Sequence, residues 1–345
     1  MQYAKYVDKG FTGLANLGNT CFMNSALQAL SHTYDLNIFL EKGEYKNKLN
    51  KKAESLILFE WDKLRQMMWS ENCVISPGGF LGAVQKVAKI KDRTLFTGFA
   101  QNDLPEFVDF IINCFHTAIS REVLMNINGN VENETDELAK KCYGMMKNMY
   151  KKEYSEFLSL FYGISISEIS DINGKMITQT PEPFLMINAP IPDKKLPSLK
   201  DCLDLFTETE ILDGDNKYYN CEKKQHEVAH KEIKFWSFPD NLIIHLKRFS
   251  NNLKKNNILV DFPLDNLNLS PYVVGYNKKS FVYELYAICN HSGNVLGGHY
   301  TACVKNANGK WYLFNDTQIA EMPKIEMLKT SKAYCFFYRK KKPSK

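Results

Sequence analysis

GLANLGNTCFMNSALQALSH, residues 13–32, packs two glycines and two asparagines into Gly13 to Asn19 and then turns helical. From Cys21 onward Phe22, Ala26, Leu27 and Leu30 recur at helical spacing, with Thr20 or Asn19 placed to cap the helix. Cys21 thus falls in the first helical turn, where open N–H groups and the macrodipole favour a negative charge and lower a thiol's pKa. Gly13 and Gly18 permit a sharp turn and a close backbone approach. Asn16 and Asn19 bring amide donors of the kind that hold an oxyanion. Two readings of Cys21 fit this stretch alone: a small buried hydrophobe, as most free cysteines are, or a nucleophile.

A nucleophilic thiol needs a base, and the base needs an orienting group. The chain has seven histidines. His32 and His116 lie in helical patterns and read as packing or surface residues. His226, His230 and His245 lie in strand-like runs. His291 and His299 flank the glycine-rich loop of CNHSGNVLGGHYTACVKN, residues 289–306. His299 follows Gly297 and Gly298 and opens a strand, a junction from which an imidazole reaches a cleft; a structural histidine in a β-turn is the other reading. The NANG turn at 306–309 then returns the chain as WYLFNDTQI, 311–319, beside His299. That places Asn315 or Asp316 next to the imidazole, against the plain alternative of a solvated turn. Cys, His and Asn in that chain order take the roles of a papain-type triad.

Around these pieces the chain reads as helices first and strands after. Helices are expected over 21–31, 53–69 and 101–120, the last opening on a capping box of Asp103 and Glu106 with Pro105 in its first turn. Residues 121–150 are polar and partly helical, with a loop around NINGNVENET. From about 175, β-rich runs dominate: FLMINAPI, HEVAHKEIKFW, NLIIHLKRF, SFVYELYAICNHS, HYTACVK, KWYLFND and YCFFYRK. The class is α+β.

Composition narrows the function. The 345 residues are 44% hydrophobic and 24% charged, with a net charge of +5. That charge is mild for the length and shows no basic stripe with interleaved aromatics, which argues against nucleic acid. The end, RKKKPSK, reads as a solvated basic tail, with nuclear targeting the lesser alternative. No apolar run approaches the roughly 20 residues of a membrane span, and MQYAKYVDKG has no signal-peptide core. Nine cysteines, an odd number without a repeating frame, point to free thiols in the reducing cytoplasm or nucleus. The N-x-S/T matches at Asn133, Asn268 and Asn315 are then chance.

Four motifs together resemble the ubiquitin-specific proteases, a family of cysteine deubiquitinases. GLANLGNTCFMNSALQAL is similar to the family's Cys box and QNDLPEFVDFIINCF to its QQDAxEF helix. FPDNLIIHLKRF resembles its P-x-x-L-x-I-x-L-K-R-F strand, and GGHYTACVKN with KWYLFND its His box. The resemblance implies a papain-like fold in a hand-shaped variant over about 10–341. Its parts are a helical thumb (about 10–120), an insertion (about 121–155), β fingers (about 160–235) and a β palm (about 175–200 and 236–341), with a basic tail at 342–345. It implies hydrolysis of the isopeptide bond between ubiquitin's terminal glycine and a lysine, without a cofactor. Cys21 is the implied nucleophile and His299 the proton carrier. Asn315 orients the imidazole, Asp316 assists or shares that role, and Asn16 holds the oxyanion. Asp103 and Glu106 match acidic positions that hold ubiquitin's basic tail, and Gly297 and Gly298 the loop that opens for it. The implied partners are ubiquitin and ubiquitinated proteins. A protease for another ubiquitin-like modifier, a non-catalytic ubiquitin-binding scaffold and a need for an activating partner stay open.

The pattern is broken in two places. Family members usually carry two C-x-x-C pairs that bind a structural zinc in the fingers. Here the pairs align with SDIN (170–173) and CEKK (221–224), leaving Cys221 alone where a tetrahedral site needs four ligands, so no zinc is expected. Strand pairing and apolar contact must then hold the fingers. In the helix motif, Asn102 and Pro105 replace the usual Gln and Gln/His. The acidic TETEILDGD, 207–215, reads as a solvated hairpin rather than a contact for ubiquitin's basic face, and DGDN lacks the remaining ligands of a calcium loop.

Overall fold

The computed structural model describes residues 3–250, 252, 254–295 and 297–342. At its centre lies α1 (Cys21–Ser31), buried along every residue. A helix without a solvent face must satisfy its polar side chains internally. Asn24 donates to the Leu14 carbonyl (3.2 Å), Gln28 to the Thr12 carbonyl (2.7 Å), and Ser31 accepts from the Trp69 indole (2.9 Å). No side-chain cap bond forms. Thr20 occupies the cap position, but its hydroxyl accepts from the Leu17 N–H at 2.9 Å; Asn19, at φ +56°, gives its amide to the Phe99 carbonyl.

The thumb wraps α1. Strand β1 (Gly13–Leu14) pairs in parallel with β2 (Val74–Ile75), and α2 (Tyr34–Glu41), α3 (Glu54–Ser70), α4 (Gly78–Ile90) and α5 (Leu104–Ala118) complete it. The periodic apolar face of α5 buries Phe107, Val108, Ile111 and Phe115 beside Trp61 of α3. The capping box expected on α5 is absent: Asp103 stands at the cap with no cap hydrogen bond, because two tyrosines claim its carboxylate. Residues 3–9, outside the expected domain start at 10, pack into it. Tyr6 stacks on Tyr34 at 4.6 Å, and Arg339 lies over the rings of Tyr3, Tyr34 and Tyr286 at 4.8, 5.0 and 5.0 Å.

The segment expected to be partly helical carries α6 (Glu134–Glu153), which lays Leu138, Ala139 and Cys142 against Ile164, Ile166 and Trp236 of the fingers. The short α7 (Phe157–Phe161) leads into β3 (Gly163–Asp171) and β4 (Met176–Phe184). Next come β5 (Met186–Ala189), α8 (Leu199–Thr207), β6 (Glu210–Leu212), a ribbon of β7 (Tyr218–Asn220) with β8 (Gln225–Glu227), and β9 (Ala229–Ser237). The fingers sheet runs β4-β3-β9-β6. TETEILDGD is therefore not a free hairpin: its β6 is an edge strand, Glu210 opposite Lys231. At SDIN, Asp171 closes the β3–β4 turn by accepting from the N–H groups of Asn173 and Lys175, both at 2.9 Å. Cys221 is exposed in the β7–β8 turn, and among the described residues no three His, Cys, Asp or Glu converge as metal ligands would.

The palm is built from β5, β10 (Asn241–Leu246), β11 (Leu267–Asn268), β12 (Val282–Asn294), β13 (Gly297–Lys305), β14 (Trp311–Asn315), β15 (Gln318–Glu321) and β16 (Ala333–Lys340). Their order is β15-β14-β13-β12-β16-β10-β5, with β11 beside β12. Period-two alternation splits each strand between two cores. Ile243, Cys289, Tyr300, Ala302 and Phe337 face the thumb core, while Leu242, Ile244, Ile288, Cys303 and Phe336 face a second core closed by α8. A sheet apolar on both faces holds β13 against α1, which brings His299 to the helix that begins at Cys21.

Candidate active site

Three segments far apart in sequence meet where α1 begins. Pairing of β13 with β14 ends at Ala302–Phe314, and one residue further along β14 Asn315 reaches His299. The His299 Nε2 to Asn315 Oδ1 distance is 2.6 Å. A carbonyl oxygen only accepts, so with this amide orientation the proton sits on Nε2 and Nδ1 keeps its lone pair. His299 is thereby set as a base whose tautomer is fixed by its neighbour.

Cys21 lies 3% exposed beside the same strand. Burial pushes its thiol above the ordinary range, and the Asp316 carboxylate adds to that push. Backbone N–H groups of Tyr300, Phe22 and Cys21 itself act in the opposite sense. The helix-end effect read from the sequence is therefore present but outweighed: desolvation of a buried thiolate costs more than a few partial charges return. Attack by Cys21 therefore requires transfer of its proton to a base in the cleft.

Among the described residues, Asp316 makes no hydrogen bond to the imidazole. It sits at φ +51° and turns its carboxylate to accept from Asn16 Nδ2 (3.0 Å) and Asn24 Nδ2 (2.8 Å), while its carbonyl accepts from the Leu14 N–H (2.9 Å). Its neighbour in chain, Asn315, is the residue bonded to His299. Asn16 is fixed further by its side-chain Oδ1, which accepts from the Gly18 and Thr20 N–H groups, both at 3.1 Å. One amide N–H of Asn16 is thus committed to Asp316, and the second has no acceptor among the described residues. Gly13 makes this docking possible: a Cβ there would stand 2.5 Å from the Thr317 carbonyl oxygen. Asn24 was missed in the sequence, though its place three residues after Cys21 puts it on the same helix face.

Two cavities share Asp103, and the smaller borders Tyr300, the residue after His299. The larger, about 830 Å³, lies between α5 and the palm and is lined by Glu54, Asp103, Glu106 and Asp109 against Lys91 and Arg93, an acidic balance. The Asp103 carboxylate is pushed up by burial, while hydroxyl donors from Tyr334 and Tyr300, each at 3.0 Å, pull it down. Glu106 is exposed one turn further along α5. His245 lines the same groove, its Nδ1 2.9 Å from Asn188 Oδ1 and its pKa lowered to about 4 by burial, so it is neutral at physiological pH. The smaller cavity, about 270 Å³, borders Gln101, Asp103, His291, Gly297 and Tyr300. Gly298 cannot carry a side chain, because a Cβ would meet His291 Nε2 at 2.3 Å. Gln101, which sequence reasoning passed over, is bonded to both the N–H and the carbonyl of Gly298.

The ubiquitin carboxyl-terminal hydrolase family profile matches residues 12–338. Ubiquitin carboxyl-terminal hydrolase 2 of Bos taurus is 35% identical over 97% of this chain and 56% of its own length. The protein of the same name from Gallus gallus is 35% identical over 98% of this chain and 96% of its own. The chain thus spans little more than half of the bovine relative. Among solved structures, the SAGA Ubp8/Sgf11/Sus1/Sgf73 DUB module bound to ubiquitin aldehyde matches with a TM-score of 0.72 and 25% identity, over 98% of this chain and 71% of that one.

Proposed function

This chain belongs to the ubiquitin carboxyl-terminal hydrolase family, and from that premise we propose that it is a thiol isopeptidase that releases ubiquitin from lysine side chains. The observation that carries the reading is the 2.6 Å bond from His299 to Asn315 beside a Cys21 held by the Tyr300 N–H. His299 Nδ1 takes the Cys21 proton, and the thiolate attacks the carbonyl carbon of ubiquitin's terminal glycine. The oxyanion that forms is met by the uncommitted Asn16 N–H and the open N–H groups at the start of α1. Collapse expels the lysine amine, which takes the proton from His299, and leaves a thioester on Cys21. A water molecule, deprotonated by His299, attacks that thioester and returns free ubiquitin and the thiol.

Asp103, Glu106 and Asp109 supply the carboxylates that a basic tail needs along the groove between α5 and the palm. A thiol nucleophile with eight further cysteines suits the reducing cytoplasm or nucleus. The test is covalent capture by ubiquitin bearing a C-terminal electrophile. Wild type forms an adduct, and Cys21→Ala and His299→Ala do not. An electrophile on another ubiquitin-like protein reacting in its place would reassign the substrate; a folded wild type inert to all of them would point to a scaffold or to an enzyme lacking its activating partner.

A further inference from the structure

Gln101 makes, with one side chain, the two hydrogen bonds that a neighbouring strand would make to Gly298. Its Nε2 donates to the Gly298 carbonyl (2.5 Å) and its Oε1 accepts from the Gly298 N–H (2.9 Å). Strand β13 pairs with β12 from Gly297 onward but with β14 only from Ala302. Over 298–301 its outer edge therefore lacks a strand, and alternate residues turn their N–H and C=O toward it. Tyr300 gives its N–H to Cys21, and Gly298 gives both its groups to Gln101.

A C-terminal glycine whose carbonyl carbon lies on Cys21 carries its own amide N–H two bonds from that carbon. Gly298 is two residues, about 6.6 Å, along the strand from Tyr300, so an extended tail that follows the acidic groove past Asp103, the residue both cavities share, brings its main-chain groups to the edge that Gln101 fills. The smaller cavity borders Gln101, Gly297 and Tyr300 and gives the displaced side chain room.

We propose that Gln101 is a placeholder strand: in the free enzyme it closes the Gly298 edge, and ubiquitin's C-terminal backbone displaces it by taking over both bonds. The proposal rests on the isopeptidase reading. It makes the edge selective for an occupant that offers a paired N–H and C=O in extended form, since any other leaves the Gly298 groups unpaired in a narrow channel.

The test is steady-state kinetics on a fluorogenic C-terminal amide of ubiquitin and on a pentapeptide amide copying its tail, with wild type, Gln101→Ala and the shorter Gln101→Asn. Removing the placeholder lowers KM for both substrates about threefold to tenfold, the exchange of one or two hydrogen bonds, with kcat within about twofold. A raised KM, or a kcat fall beyond about tenfold at unchanged Tm, overturns the proposal and makes Gln101 a substrate or strand holder, with the isopeptidase reading intact. A wild type that neither turns over nor forms the electrophile adduct overturns both. Should the variants fail to fold, ¹⁵N-labelled wild type decides: the Gln101 side-chain amide resonance shifts when the ubiquitin adduct forms, and an unmoved resonance overturns the exchange.

Discussion

Asn16 reaches the mouth of the cleft in a fixed pose because Asp316 holds it, and Asp316 is itself held by Asn24 from inside the helix that starts at Cys21. Replacing Asp316 by Ala frees the Asn16 amide and leaves Asn24 short of a partner. Steady-state assays are expected to show kcat lower by about a hundredfold, the scale of one lost oxyanion donor, with KM within about threefold. Restoring only the shape with Asp316→Asn recovers little, since an amide presents one acceptor oxygen where two were used. The thiol itself gives a pH test. Burial raises Cys21 above the ordinary value of 9.0, so the reactive thiolate grows with pH throughout the neutral range. Alkylation of Cys21 by iodoacetamide in the free enzyme should accelerate by about tenfold per pH unit and still be rising at pH 9; a plateau below pH 7 would contradict the desolvated thiol. At this scale the sequence names Cys21, His299 and Asn315 because each sits at a local turn-to-element junction. It does not disclose Asn24, Gln101 or the true partners of Asp316, because those bonds join residues separated by 197 to 300 positions.

Among the elements, caps were where local rules met tertiary competition. The Asp103–Glu106 pattern has the spacing of a capping box, yet the Tyr300 and Tyr334 hydroxyls draw Asp103 toward the palm. A true capping box forms instead at Ser198 and Asp201 on α8, where among the described residues only the exposed Lys194 also reaches the two side chains. Strand runs were legible as β and their pairing was not: a period-two run gives a face, while the neighbour depends on the whole sheet. Gly13 shows how an element's position serves the site. Gly13→Ala forces the Thr317 backbone away and moves the turn carrying Asn315 and Asp316. Turnover should fall by at least about tenfold while circular dichroism keeps the native helix and sheet content. Glu156 ties the start of α7 to Lys48 (2.7 Å) and Arg121 (2.8 Å). Partial burial would raise its pKa, and the Arg121 and Lys48 bonds overcome that and lower it from 4.5 to about 2. Its stabilisation is therefore full above pH 4.5 and lost as pH falls through about 2. Glu156→Gln should lower Tm by about 1–3 °C at pH 7, a gap that closes toward pH 2.

Over the whole molecule, one palm sheet with apolar residues on both faces carries the thumb on one side and α8 with its loops on the other. The fingers extend from it through β3, β4 and β9 and close against α6. They are held by strand pairing and by the apolar contacts of Ile164, Ile166 and Trp236 with Leu138 and Cys142. Dialysis against a strong zinc chelator is accordingly expected to leave Tm and turnover unchanged, whereas Trp236→Ala should lower Tm through a core cavity of about 3–5 kcal/mol. Finally, Arg339 of the last strand rests among Tyr3, Tyr34 and Tyr286. The beginning and end of the described chain are clasped to each other by one guanidinium. Such a geometry suits circular permutation. A short linker joining the two ends, with new termini opened in the exposed run 126–133, would break no strand pairing and would let the thumb and the rest of the hand be synthesised in the reverse order.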